Sequence, residues 1–353
     1  MRVLVLCTDA YGGHGGIALY TRDLIESIAS HPHVDEVVAI PRVMPHASEP
    51  IPSNVRFVAS AARNAASYMR AITGAGKKFD LVVCAHINLL PVARLLRCRT
   101  ALMIYGIEAW KRPRAASARL VDHVDAVVSI SDVTRERFAS WSQFDGRSFL
   151  LPNAIHLERY AERPRNPELV ARWKLDGKRV LLTLGRIVAA ERYKGFDEVL
   201  DVLPDLLRDH PDLAYVVAGT GSDVPRLQKK AERLGVAQCV VFTGMVDEHE
   251  KSDIYNLADV YVMPSRGEGF GFVFLEALAC GVPVIASRID GGREAVRDGE
   301  LGLLVDPSNP AEVRTAIDDT LASGKHGVPA GLSHFAFPRF ESRVHSLVDE
   351  LTA

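Results

Sequence analysis

The chain carries two series of short, nearly continuous apolar runs, with longer segments between them in which apolar positions recur every three or four residues. The first series is 3–7 (VLVLC), 36–40 (EVVAI), 80–85 (DLVVCA), 100–105 (TALMIY) and 125–130 (DAVVSI). The second is 179–185 (RVLLTLG), 213–219 (LAYVVAG), 239–244 (CVVFTG), 259–264 (DVYVMP) and 283–287 (PVIAS). An apolar run without polar alternation suits a strand buried on both faces, and helix-period segments between such runs suit crossovers. The pattern therefore predicts an α/β protein with two doubly wound, Rossmann-like domains. The stretch 157–178 (LERYAERPRNPELVARWKLDGK) is rich in charge and proline and reads as a linker, with a hinge near Pro164 to Pro167. The expected division is 1–163, 164–334, and an amphipathic helix over 335–353.

Sheets of this kind bind ligands outside the carboxyl ends of their strands, so two of them facing one another predict a central cleft lined by strand-to-helix loops. Composition agrees with a folded enzyme-sized chain: 353 residues, 48% hydrophobic and 24% charged, which excludes the disordered class. The start, MRVLVLC, is too short in apolar residues for a signal peptide, and no 18-residue apolar stretch is available to span a membrane. Five scattered cysteines with no Cys-x-x-Cys fit a reducing compartment, so a cytoplasmic location is expected. A net charge of −2 argues against nucleic-acid binding, but it hides a local excess. Between residues 60 and 120 eleven basic residues face two acids, Asp80 and Glu108. Two readings stand: a solvated face, or a patch for an anionic membrane surface, the second favoured by Trp110 beside Lys111 and Arg112.

Three loops carry candidate chemistry. In 265–287 (SRGEGFGFVFLEALACGVPVIAS) a strand ends, a glycine loop follows, and an apolar helix starts near Gly271. Glu276 is the only charged residue between Phe270 and Ser287. A carboxylate buried in such a helix needs hydrogen-bond partners, and the hydroxyls of a ligand would supply them. Gly269 and Gly271 let helix-terminal amides approach an anion such as a diphosphate, with Glu268 facing whatever lies beyond the phosphates. In 184–200, Arg186 and Lys194 flank the loop after a strand, where two cations suit a diphosphate leaving group or are simply solvated. In 8–25, Gly13-x-Gly15-x-x-Ala18 matches the dinucleotide fingerprint, and Arg42 at the end of the second strand leaves an NADP-dependent oxidoreductase open as a rival.

Taken together these residues resemble the family-four glycosyltransferases of the GT-B fold. The resemblance runs from the glycine loop 12–16 through 151–160, Gly185-Arg186 with Lys194-Gly195, 216–223 and 242–287 to 301–307, and centres on Glu268-x7-Glu276. It implies a retaining hexosyltransferase using a nucleotide-sugar donor of the GDP-mannose or UDP-glucose type and a glycan or lipid-linked saccharide acceptor. The first domain would hold the acceptor and the second the donor, with the last helix crossing back to the first. It also implies roles: Glu276 on the ribose hydroxyls, Glu268 on those of the transferred sugar, and Arg186 and Lys194 on the diphosphate. The donor-binding set is completed by Gly15, Gly16, Gly269, Phe270, Gly271, the backbone at Phe272 and Val273, and Val246 near the base.

One departure stands out. Members often carry a histidine before a glycine after the fifth strand, where this chain has Tyr105. His86, at the end of the preceding strand, and His14, in the first glycine loop, are further candidates for acceptor or sugar contacts. No Asp-x-Asp occurs, so neither a metal nor a cofactor is expected. A nucleotide-sugar mutase or epimerase and a non-catalytic binder of nucleotide sugars complete the alternatives.

Overall fold

The computed structural model describes residues 1–12, 15–43, 50–76 and 78–353, the side chain of Ala115 excepted. Its strands form two separate, all-parallel sheets. The first holds β1 (Arg2–Cys7), β2 (Glu36–Pro41), β3 (Val55–Phe57), β4 (Leu81–Cys84), β5 (Thr100–Ile104), β6 (Ala126–Ser129) and β7 (Arg147–Leu150), in the order β3-β2-β1-β4-β5-β6-β7. The second holds β8 (Arg179–Leu184), β9 (Leu213–Ala218), β10 (Val240–Phe242), β11 (Val260–Met263), β12 (Val284–Ser287) and β13 (Leu303–Val305), in the order β10-β9-β8-β11-β12-β13.

All ten apolar runs form strands. Val3 to Cys7 are fully buried, as a two-sided sheet requires, and helices cover both faces. Each order reverses once, between β1 and β4 and between β8 and β11, and the loops leaving those pairs are where such sheets take ligands.

Two compact units result: Met1–Ala154 with Phe335–Ala353, and Ile155–His334. The division falls after Ala154, whereas the expected boundary lay between 163 and 164 and the expected hinge near Pro164 to Pro167. Its cause is Asn256, whose amide donates to Ala161 O (2.9 Å) and accepts from Arg163 N (2.8 Å), tying the charged segment to the second unit. Proline near 164–167 opens a helix, Pro167–Trp173, rather than a hinge.

The last helix, Phe337–Thr352, completes the first unit's core. Phe340 meets Tyr20 edge-on at 5.5 Å, and Val344, Leu347, Val348 and Leu351 lie over Val83 and Met103 of the sheet. Its far end is clasped by Arg99, which donates to Leu351 O, and by Arg147, which donates to Glu350 O.

Candidate functional site

Because β8 and β11 are neighbours, the loops that leave them lie side by side. Lys194, from the first of these loops, puts its Nζ 3.3 Å from Glu268 Oε2 in the second. Arg186 joins through Glu191: the guanidinium donates to Glu191 Oε1, and Lys194 Nζ sits 3.8 Å from Glu191 Oε2. The three residues grouped from sequence thus come together, along with a carboxylate that sequence reasoning missed. Arg186 is 75% exposed, whereas Lys194 and Glu191 are 16% and 12% exposed. Burial pulls the Lys194 ammonium down, but Glu268, Tyr193 and Glu191 more than offset this, so its pKa ends above the usual value and it is charged at neutral pH.

The backbone of this loop is fixed from several sides. Arg266 N donates to Tyr193 O at 2.7 Å, and Arg192 pairs with both oxygens of Asp223 (3.0 and 2.7 Å). Asp223 also accepts from Arg226, which in turn grips Asp197 with two bonds of 2.7 and 2.6 Å. These donors hold the Asp223 carboxyl at about 2, so the clamp stays ionised throughout the neutral range. Gly195, at φ +86°, ends the loop against Pro264, where a Cβ would fall 2.8 Å away.

In the loop after β11, Gly271 has φ +96° and caps helix Phe272–Ala279; a Cβ there would meet the Phe274 ring at 2.6 Å. Phe270 is buried, while Phe272 and Val273 are half-buried at the helix start, whose first amides have no intrahelical acceptor. The loop rests on Asp290, a second residue missed from sequence. Its fully buried carboxylate accepts from Ser265 Oγ (2.7 Å), Glu268 N (2.8 Å) and Gly292 N (3.0 Å). Burial pushes it up to about 6 despite these donors. Gly291 docks so closely that a Cβ would lie 2.0 Å from Gly269 O. The signal was present in the sequence as Asp-Gly-Gly just beyond the predicted strand 283–287.

Glu276 corrects the sequence argument. Its side chain is 3% exposed, as foreseen, but the protein itself supplies its partners. Tyr255 Oη donates to Oε2 at 2.6 Å and Lys251 Nζ donates to Oε1 at 3.2 Å, both from helix Lys251–Leu257. Burial pulls Lys251 down, and Glu276 and Glu248 more than restore it, leaving a charged ammonium. Glu276 and Glu268 share no hydrogen bond, though both raise the buried Tyr261 phenol, after burial itself. Val246 lies just past the bridge that joins Gly244 to Gly219 and is half-buried beside Met245, which is 77% exposed.

The first-unit candidates scatter. Gly15, at φ +118°, caps helix Gly16–Ala29, while Gly13 and His14 lie outside the described residues. Tyr105 is 5% exposed and packs edge-on against Tyr20 at 5.3 Å, so its ring fills core instead of replacing the family histidine at a surface. The loop it starts is held by Glu108, which accepts from Tyr105 N (2.6 Å) and Gly106 N (3.2 Å). His86 is half-buried, its Nδ1 accepting from Asn88 N at 3.1 Å; burial lowers its pKa and Glu108 pulls it partly back. In the basic stretch Lys111, Arg112, Arg114 and Arg119 are exposed, and Lys77 lies outside the described residues. Trp110 is engaged internally, donating to Thr134 Oγ1 (3.2 Å) under the Arg137 guanidinium 3.9 Å from its ring centre, so it is not a free anchor. No helix among the described residues is long and apolar enough to cross a membrane.

The two all-parallel sheets have the expected GT-B fold. They superpose on the Anabaena HepE protein, solved with UDP-glucose, with a TM-score of 0.75 at 20% identity, covering 99% of this chain and 100% of that one. The sucrose-phosphate synthase from Thermosynechococcus elongatus gives 0.71 at 20% identity, over 100% and 96%. Residues 166–328 match the model of the family Glycosyl transferases group 1. A GDP-mannose-dependent alpha-(1-6)-phosphatidylinositol monomannoside mannosyltransferase of Mycolicibacterium smegmatis is 35% identical, covering 65% of this chain and 62% of that protein. A D-inositol 3-phosphate glycosyltransferase of Geodermatophilus obscurus is 32% identical, over 73% and 59%. The chain thus spans only 62% and 59% of the lengths of these two relatives.

Proposed function

We propose that the protein is a retaining hexosyltransferase that moves a sugar from a nucleotide diphosphate donor to a saccharide or lipid-linked saccharide acceptor. The observation that carries this reading is the meeting of Lys194 and Glu268, with Arg186 beside them, at the point where the second sheet reverses its order. Arg186 and Lys194 neutralise the diphosphate as its bond to the sugar breaks, which is where added charge stabilisation lowers the barrier. The start of helix Phe272–Ala279 adds its amides and dipole. Glu268 takes the hydroxyls of the transferred sugar. Glu276 takes those of the ribose and, already bound to Tyr255 and Lys251, meets the ligand as a fixed acceptor. Val246 and its neighbours lie along the base.

For retention, the acceptor hydroxyl attacks the anomeric carbon on the face the diphosphate leaves. The bond from carbon to phosphate oxygen breaks as that from carbon to acceptor oxygen forms, and a phosphate oxygen takes the acceptor's proton. GDP-mannose is the first choice of donor and a phosphoinositol-based glycolipid the first choice of acceptor, on the names of the relatives. UDP-glucose follows. On the first unit, His86 contacts acceptor or sugar. Leu95 and Ile107, 64% and 56% exposed, share the stretch 94–114 of the sequence with the exposed Arg97, Lys111, Arg112 and Arg114, a composition that suits the surface of an anionic bilayer.

The test is transfer from each nucleotide sugar to a phosphoinositol glycolipid in anionic vesicles, with and without EDTA, followed by NMR of the product anomer. Retained configuration, with turnover surviving EDTA, is expected. An inverted anomer would sink the mechanism. Hydride transfer from NADPH, or a rearranged free sugar with no acceptor consumed, would sink the reading.

A further inference from the structure

Arg186 and Lys194 are already neutralised. Two cations, Arg186 and Lys194, and two carboxylates, Glu191 and Glu268, form one connected group with no net charge. Within it Glu191 is the odd member. Glu268 belongs to the loop after β11, but Glu191 lies between the two cations in their own loop and reaches both of them. Its Oε2 is buried and accepts no hydrogen bond, leaving only the longer 3.8 Å approach of Lys194. Leaving costs the carboxylate one hydrogen bond, that from the exposed Arg186, and an arriving phosphate offers Arg186 an acceptor of the same charge in its place.

What surrounds Glu191 permits the side chain to move while the loop stays. Glu191 N donates to Val188 O at 2.9 Å, Arg192 is locked on Asp223, and Tyr193 O accepts from Arg266 N. A Cβ on Gly267 would fall 2.9 Å from the Tyr193 ring, so the backbone following Glu191 is packed as well as bonded. Glu191 itself sits at the kink of the 3-10 segment Ala189–Lys194, at φ −119° and ψ 29°.

We propose that Glu191 is a tethered counter-anion: it occupies the Arg186 and Lys194 cations while the site is empty, and the donor's diphosphate displaces it. After transfer, Glu191 competes with the departing nucleoside diphosphate for the same two cations and so speeds product release. The proposal rests on the reading that Arg186 and Lys194 take the diphosphate. It adds a residue whose negative charge weakens binding, the opposite of a residue that merely orients Lys194.

Isothermal titration of GDP, UDP and GMP against the wild type, Glu191→Gln, Arg186→Ala and Lys194→Ala separates the cases, with circular dichroism confirming each fold. Glu191→Gln should bind whichever diphosphate the protein accepts about fivefold or more tightly than wild type, with slower dissociation by stopped flow and little change for GMP. Arg186→Ala and Lys194→Ala should bind it more weakly. Glu191→Asp keeps the charge on a shorter stem that reaches the two cations less well, and serves if the glutamine variant does not fold; dissociation slower than wild type is expected, and dissociation as fast as wild type or faster counts against the proposal. Weaker or unchanged diphosphate binding in a folded Glu191→Gln, while Lys194→Ala still loses affinity, overturns this proposal alone. Unchanged affinity in both cation variants overturns the diphosphate reading, and this proposal with it.

Discussion

Asp290 is the residue whose ionisation should be visible in stability. Its carboxyl is pushed from near 3.8 in the unfolded chain to about 6 in the folded one. Between those values the native state binds more protons than the unfolded state. The stabilising contribution of the neutral acid is therefore fully present below about pH 4 and is lost as pH rises through about 6. At roughly 1.4 kcal/mol per unit, the loss amounts to about 3 kcal/mol. Glu268, which pairs with Lys194, raises the Asp290 carboxyl further. The difference in melting temperature between Asp290→Asn and wild type, followed from pH 4 to 7, should shift in the variant's favour as pH rises. A difference independent of pH would refute the assignment. Activity should show the same group, because Glu268 N is bonded to it: an acid limb near pH 6 in kcat should disappear in the variant.

Glu276 shows why part of the site was illegible. The apolar stripe around it correctly announced a buried carboxylate. Lys251 and Tyr255, however, stand 25 and 21 residues away, on another helix, and no local spacing points to them. The inference that a ligand must satisfy Glu276 failed because tertiary structure satisfied it first. Lys251→Met removes one partner from a buried ion pair and should cost about 3 kcal/mol by urea denaturation. Adding Glu276→Gln should recover part of that loss while nucleotide binding stays weak. A double variant no more stable than Lys251→Met would mean the pair is not coupled. Tyr105 misled in the same way: its place in the motif was readable, but its packing against Tyr20 was not.

At the scale of elements, interior strands were legible and most edges were not. β1, β4, β8 and β11 are unbroken apolar runs because helices cover both their faces. The missed strands β3, β7 and β13 are edges, three or four residues long, carrying Arg56 and Arg147 or exposed leucine at 303, so neither length nor period marks them. The chain of ion pairs from Arg192 through Asp223 and Arg226 to Asp197 joins three elements and was equally invisible. It links the segment Ala189–Lys194 to helices Phe196–Asp209 and Val224–Arg233. Asp223 is pulled down to about 2, so its contribution is present above about pH 4 and fades only as acid brings the pH toward 2. Asp223→Asn at neutral pH should loosen the segment carrying Lys194 and raise the donor KM about tenfold, with kcat much less affected. A double-mutant cycle with Arg192→Ala tests the route. Additive losses would show that Asp223 acts by another path.

For the whole molecule, the instructive feature is that the two units are built with different independence. The second, Ile155–His334, is continuous in sequence and closes its own core around Val199, Leu203, Val217 and Ile317. The first is not, since it borrows Phe337–Thr352 from the far end of the chain. Phe340, Val344, Val348 and Leu351 are each 2% exposed or less, and a fully buried side chain of this size contributes about 1.5 to 3 kcal/mol. Their sum is comparable to the roughly 5 to 15 kcal/mol by which a typical domain is stable at all. Truncation after His334 should therefore abolish the calorimetric transition of the first unit and leave that of the second. Added GDP or UDP should still raise the surviving transition, because Arg186, Lys194, Glu268 and Glu276 all lie within 155–334 and a ligand stabilises only the fold that binds it. A truncated chain that keeps both transitions would show that the final helix is dispensable. One that keeps the second transition but loses the nucleotide shift would show that donor binding draws on the first unit as well, with Gly15 and Gly16 the first residues to test.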